Sequence, residues 1–222
     1  MTVKRRDGVR YVTPDGPEGE FQPGSRNRIL RNLLGITKKT DMDRAEYESL
    51  LKAQELFLER VGPETCFTAD LIKEMHRCWL GGIYLWAGEY RTVELQKGSF
   101  RWPPAFRVDQ NMLNFEADVL RRNTPCRSGE LHEVSRRIAE VHAELLLIHP
   151  FRDGNGRVAR WLADLMALQA GLPSPRYDFD DKRTGGRNKE YLEDVVRGYG
   201  QDYEPLASFF AAAIEARLAE VR

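Results

Sequence analysis

Residues 149–160 read His149-Pro150-Phe151-Arg152-Asp153-Gly154-Asn155-Gly156-Arg157-Val158-Ala159-Arg160, which brings together a base, a carboxylate, an asparagine between two glycines, and a pair of arginines. Each type suits phosphate chemistry. Gly154 and Gly156 allow backbone conformations closed to other residues, so successive N–H groups can face one concavity, and a helix that begins there adds its positive end. The arginines, Arg157 and Arg160, share one face of that helix, where planar guanidinium forks can take phosphate oxygens in pairs. Asp153 offers a hard oxygen to a cation such as Mg²⁺, which is commonly held by one carboxylate together with nucleotide phosphates. His149 is the side chain best suited to take up a proton near neutral pH.

Two helices must hold these groups. An apolar run, Leu145 to Ile148, precedes the stretch, and Trp161, Leu162, Leu165 and Met166 follow it, so the pattern is helix, tight loop, helix. The first helix is predicted over 131–148, with Val134, Ile138, Val141, Leu145 and Ile148 spaced for burial. The second begins at Asn155 or Gly156 and ends at Gly171, before Pro173. His142 precedes His149 by two turns, about 10 Å along a helix and too far for one ion's shell, so it is assigned to the core or the surface.

The stretch matches at every fixed position the signature H-P-F-x-[D/E]-G-N-G-R-x-x-R, and on it the chain resembles the Fic-domain proteins. The resemblance extends upstream to Trp86-Ala87-Gly88-Glu89-Tyr90-Arg91 and to Lys97-Gly98, and covers roughly residues 42–200. It implies an all-α, mainly helical fold with a small β-hairpin flap, and transfer of AMP from ATP to a Ser, Thr or Tyr hydroxyl of a target protein. In that reading His149 is the catalytic base, Asp153 the Mg²⁺ ligand, and Gly154, Asn155, Gly156, Arg157 and Arg160 bind the phosphates. Gln96, Lys97, Gly98 and Ser99 of the flap contact the target, and Asn188 and Tyr191 contact adenine. The kinase branch of the family carries a lysine where this chain has Gly156, which favours AMP transfer over phosphotransfer. Transfer of phosphate, as by a kinase, or of another phospho-group such as phosphocholine by the same site, and a non-catalytic binding module on the same fold, stay open beside it.

Many members restrain themselves with a helix bearing S/T-x-x-x-E-G/N, whose glutamate pairs with the second arginine. No Ser or Thr of this chain has Glu four positions on: Thr37 reaches Asp41 and Ser208 reaches Ala212. By family analogy, Arg160 is then expected to receive its glutamate from a separate antitoxin.

The totals fit one domain of 222 residues with a substantial core. Basic and acidic side chains balance at 34 each, so no overall field recruits nucleic acid or an anionic membrane. Cys66, Cys78 and Cys126 are odd in number and form no C-x-x-C pair, which points away from disulfides and zinc and toward a reducing, cytoplasmic setting. No apolar run approaches membrane-spanning length.

Residues 1–27, rich in Pro and Gly, are expected to form an extended arm, with the domain over 28–222. A short amphipathic helix is predicted at Ile29 to Leu34, ended by Gly35. Asp41 is expected to cap a helix running to about Val61, and Thr68 to cap another with a core stripe of Leu71, Ile72, Met75, Trp79 and Leu80. His76 in that helix is read as structural or exposed. Tyr90 to Leu95 alternate with strand period, and 96–102 form the turn and return limb of a hairpin. Helices over 105–122, 187–199 and 205–221 complete the chain, with a polar loop at 175–186.

Overall fold

A computed structural model describes residues 17–179 and 187–220. Its axis is the long apolar helix anticipated from the sequence, α5. The helices are α1 (Lys39–Arg60), α2 (Ala69–Leu80), α3 (Val108–Phe115), α4 (Arg121–Asn123), α5 (Leu131–Ile148), α6 (Asn155–Gln169), α7 (Arg187–Gly198) and α8 (Glu204–Glu220). A π-helical turn, Glu116–Leu120, makes α3 and α4 one continuous helical stretch. All five predicted core positions of α5 are buried, and α3, α6, α7 and α8 pack around it.

Thr68 caps α2 as expected, its hydroxyl accepting the Leu71 N–H at 3.1 Å. Ile72, Met75, Trp79 and Leu80 of the predicted stripe are buried. Asp41, by contrast, does not cap α1: it lies in the first turn, and the cap position falls to Lys38 with no side-chain bond.

The hairpin is shorter than the alternation suggests. Only β1 (Gln96–Lys97) and β2 (Phe100–Arg101) pair, antiparallel, with Gln96 opposite Arg101 and Lys97 opposite Phe100. Residues 91, 93 and 95 are buried as a strand face would be, but of these it is Leu95 alone that meets the return limb, accepting the Trp102 N–H at 3.2 Å. The backbone at Arg91 turns instead to a loop: its N–H donates to Pro150 O at 2.8 Å.

The helix predicted at Ile29 to Leu34 does not form. The Asn32 carboxamide takes the polar groups a helix would use, donating to Leu30 O and Ile36 O and accepting from the N–H groups of Leu34 and Ile36. Phe21 bridges to Leu30, so this segment folds back on the part of the arm from residue 17 onward, and the rest of the arm lies outside the described residues. Part of the predicted 175–186 loop also falls outside them. Among the described residues no helix is long and apolar enough to cross a membrane.

Candidate active site

Pro150 creates the acceptor that orients His149. In a continuing helix, Leu146 O would take the N–H of residue 150, and proline has none. The helix therefore ends, and the orphan carbonyl receives His149 Nδ1 at 3.1 Å and the Trp102 indole N–H at 3.0 Å. A carbonyl only accepts, so Nδ1 carries the proton and the lone pair of the neutral imidazole lies on Nε2. His149 itself is the left-handed residue at the helix end (φ +53°) and is buried.

Arg91 braces this corner. Its guanidinium is buried and donates to His149 O at 2.8 Å, Val93 O at 2.9 Å and Pro103 O at 2.6 Å. Burial draws its pKa down from the ordinary arginine value.

The loop closes on itself through Asn155. Its carboxamide accepts the Phe151 N–H and donates to Phe151 O, both at 2.8 Å. The structure thus gives the buried Asn155 side chain a loop-closing contact that the sequence did not announce. First-turn amides of α6, those of Asn155 and Gly156 among them, have no acceptor within the helix. Gly154 caps that helix with φ +85°, and a Cβ there would stand 2.8 Å from the Trp79 ring.

His76 carries the loop from below. Its Nδ1 accepts the Gly88 N–H at 2.8 Å, which leaves Nε2–H to donate to Asp153 O at 3.1 Å. The ring stacks on Phe151 with centroids 3.9 Å apart, and burial lowers its pKa to about 4. His76 and His142 are both core residues. His142 donates through Nδ1 to Ala159 O at 3.1 Å and accepts the Tyr191 hydroxyl at 2.7 Å.

Asp153, Arg157 and Arg160 line one cleft of about 330 Å³ with Glu46, Tyr84, Arg28, Lys39 and Phe21. His149 does not line it; its ring packs 4.1 Å from that of Trp102, at the base of the hairpin. Asp153 Oδ1 accepts the Gly154 N–H at 2.6 Å and lies 3.8 Å from Arg157 Nη2. Among the described residues no three His, Cys, Asp or Glu side chains gather into a metal cluster. The other carboxylates lining the cleft, Glu46 and Asp43, are paired with Arg157 and Lys39, so a cation at Asp153 would take most of its shell from phosphate and water, as Mg²⁺ does.

The two arginines are treated differently. Arg157 is paired with Glu46 of α1, and its guanidinium lies 4.4 Å over the Trp79 ring. The other Glu46 oxygen accepts the Tyr84 hydroxyl at 2.7 Å, and burial followed by the nearby Glu46 charge raises the Tyr84 pKa well above the usual phenol value. Arg160 lies over the Tyr177 and Phe179 rings at 5.9 and 5.5 Å and, among the described residues, pairs with no carboxylate.

Of the flap residues, Lys97, Gly98 and Ser99 are exposed at the hairpin tip and Gln96 is half-buried, its amide donating to Gly98 O at 2.9 Å. Asn188 is exposed in the first turn of α7, whereas Tyr191 is buried against His142, and neither lines the cleft. The arm contributes more than a tail would. The Glu18 carboxylate accepts the Thr92 hydroxyl at 2.9 Å, and Glu18 O accepts Arg152 Nε at 2.8 Å.

Sequence reasoning gave no role at the site to Glu46, Tyr84, Arg91 or Trp102, while its structural reading of His76 agrees with the buried ring. Glu46 carried a usable signal: it falls among Met42, Ala53 and Phe57 on the buried stripe of α1, and a carboxylate in such a place requires a partner.

Residues 66–167 match the Fic/DOC family. Over 90% of this chain and 96% of its relative, the sequence is 27% identical to a probable protein adenylyltransferase of Sinorhizobium fredii. It is 29% identical to protein adenylyltransferase VbhT of Bartonella schoenbuchensis over 64% of this chain, spanning only 30% of that longer protein. Among solved structures, the BepC protein of Bartonella tribocorum with bound AMPPNP superposes with a TM-score of 0.68 at 19% identity, over 83% of this chain and 91% of that one, a likeness of fold.

Proposed function

The chain carries a Fic domain, and from that premise we propose that it transfers AMP from ATP to a hydroxyl of a target protein. The observation that carries the reading is the Leu146 carbonyl fixing the His149 tautomer at the mouth of the α6 loop. His149 Nε2 takes the proton of a Ser, Thr or Tyr hydroxyl as its oxygen attacks the α-phosphorus. The bond from that phosphorus to the bridging oxygen breaks, and pyrophosphate leaves. The α6 first-turn amides receive charge on the transferring group, and Arg157 and Arg160 hold the outer phosphates, deciding which phosphorus faces the nucleophile. Asp153 is the residue that would hold Mg²⁺, which when bound neutralises phosphate charge. The exposed tip at Lys97, Gly98 and Ser99 offers a strand edge to the target segment, as the backbone of an extended peptide requires.

ATP labelled separately at its α and γ positions tests this. The α-label should appear on protein, and His149→Ala should abolish it. The γ-label on protein indicates phosphotransfer, and neither label indicates a binding module.

Restraint belongs to the same proposal. Arg160 meets aromatic rings and no carboxylate among the described residues, so a separate antitoxin protein presenting a glutamate would have a ready partner there. The isolated chain should then label targets without further activation. Silence of the isolated chain, relieved by Glu→Gly changes in its own terminal helices, would reject the separate partner.

A further inference from the structure

We infer that Glu46 is the positioning residue of Arg157, fixing one guanidinium of the phosphate clamp before any nucleotide arrives. The inference rests on the proposed role of Arg157 toward phosphate. Glu46 stands outside the span that matches the family, on α1, and reaches the signature helix across the cleft.

Three contacts set Arg157. Its Nη1 donates to Glu46 Oε2, and Nη2 lies 3.8 Å from Asp153 Oδ1. Its face lies 4.4 Å over Trp79, whose indole N–H donates to the backbone carbonyl of the same Glu46 at 2.9 Å. One α1 residue therefore anchors both the edge and the stacking surface of the guanidinium. Glu46 is itself anchored, since its second oxygen accepts the Tyr84 hydroxyl at 2.7 Å and the residue is 9% exposed. Arg157 Nε is buried with no acceptor among the described residues. The Glu46 carboxylate sets the edge of the guanidinium and the Trp79 ring sets its plane.

A carboxylate in this place can act in two ways on a phosphate site. As a competitor it would have to withdraw when nucleotide enters; as a holder it stays. Glu46 is tied to Tyr84 and lies within a helix, so it stays, and Arg157 is held where it lines the cleft. Preorganised donors bind charge with less loss of side-chain freedom.

Calorimetric titration with ATP and with AMP, both with Mg²⁺, tests the inference on the unaltered chain, Glu46→Gln, Tyr84→Phe, Arg157→Ala and the Glu46→Gln, Arg157→Ala double variant. Glu46→Gln should weaken ATP binding roughly tenfold, the size of one charge-assisted contact, and leave AMP within about twofold because AMP lacks the outer phosphates. Tyr84→Phe should act in the same direction by less, and it serves alone if Glu46→Gln does not fold. In the Arg157→Ala background the Glu46 change should add nothing. An unchanged ATP-to-AMP ratio in both single variants, tighter ATP binding, or additive losses in the double variant would overturn this inference alone. Failure of the unaltered chain to bind ATP would overturn the nucleotide reading and this inference with it.

Discussion

The indole of Trp102 lies against the imidazole of His149, with ring centroids 4.1 Å apart and planes inclined by 31°, and both rings donate to the one carbonyl of Leu146. Trp102 follows directly on β2, so the hairpin and the imidazole share an anchor. Trp102→Phe keeps the ring and deletes the N–H. It should cost about 1 kcal/mol of stability, one hydrogen bond, and slow α-label transfer about tenfold by loosening the imidazole. Trp102→Ala should cost about 3 kcal/mol and more of the rate. Denaturant unfolding alongside initial-rate labelling measures both; equal rates for Trp102→Phe and the unaltered chain would show that the shared carbonyl does not position His149.

Arg91 supplies the second brace. Its guanidinium donates to three carbonyls between 2.6 and 2.9 Å, from Pro103, His149 and Val93. An ammonium is a point charge and cannot match that planar fork. Arg91→Lys is expected to destabilise the chain by about 3 kcal/mol, because carbonyls and a buried charge are left poorly met together. A midpoint in urea unchanged from the unaltered chain would contradict the role assigned to the fork.

How much of this was legible depended on whether a residue's neighbours lie near it in sequence. The 149–160 loop and the span of α5 were, because apolar periodicity, Pro150 and the two glycines act locally. The partners that orient the loop were not: Glu46 reaches Arg157 from 111 positions away, and His76 reaches Asp153 from 77. Ile29 to Leu34 misled for a local reason, since Asn32 competes for the backbone groups that an apolar pattern alone assigns to a helix. Tyr90 to Leu95 misled for a distant one, because alternation reports a buried face but not a neighbouring strand.

Two buried histidines and a buried carboxylate should pull stability in opposite directions across the same acidic range, from about pH 3 to about pH 7. Burial pulls His76 down to about 4 and His142 to about 3 from an unfolded value of 6.5, so the folded state binds fewer protons and loses stability as pH falls from about 6.5 through these values. Asp164 runs the other way. Burial pushes its carboxyl up to about 7 from 3.8, against the Tyr177 hydroxyl it accepts at 2.9 Å, so its contribution is full below 3.8 and is lost as pH rises toward 7. Asp164→Asn keeps that acceptor without the charge. It should stabilise the chain by about 2 kcal/mol near pH 8 and by little near pH 4, read from melting curves across the range. Equal shifts at both ends would remove Asp164 from the account.

Gly154 and Gly156 flank the same asparagine yet should respond oppositely to a methyl group. At Gly154 the backbone is left-handed (φ +85°), and a Cβ would stand 2.8 Å from Trp79 and 3.3 Å from His76 Nε2, both of them buried and fixed. Gly154→Ala is therefore expected to cost about 3 kcal/mol or more and to displace the loop that Asn155 closes. At Gly156 no such backbone strain exists, and a Cβ would meet Arg160 Nη1 at 3.6 Å, an ordinary contact with the end of a flexible side chain. Since Gly156 lies in the first turn of α6, Gly156→Ala should leave stability unchanged or raise it by up to about 1 kcal/mol. A rate loss in Gly156→Ala would then report on the phosphate cradle itself, separated from folding. Calorimetric melting of the two variants beside α-label transfer makes the comparison, and equal destabilisation by both would mean that the Trp79 and His76 contacts do not fix the loop.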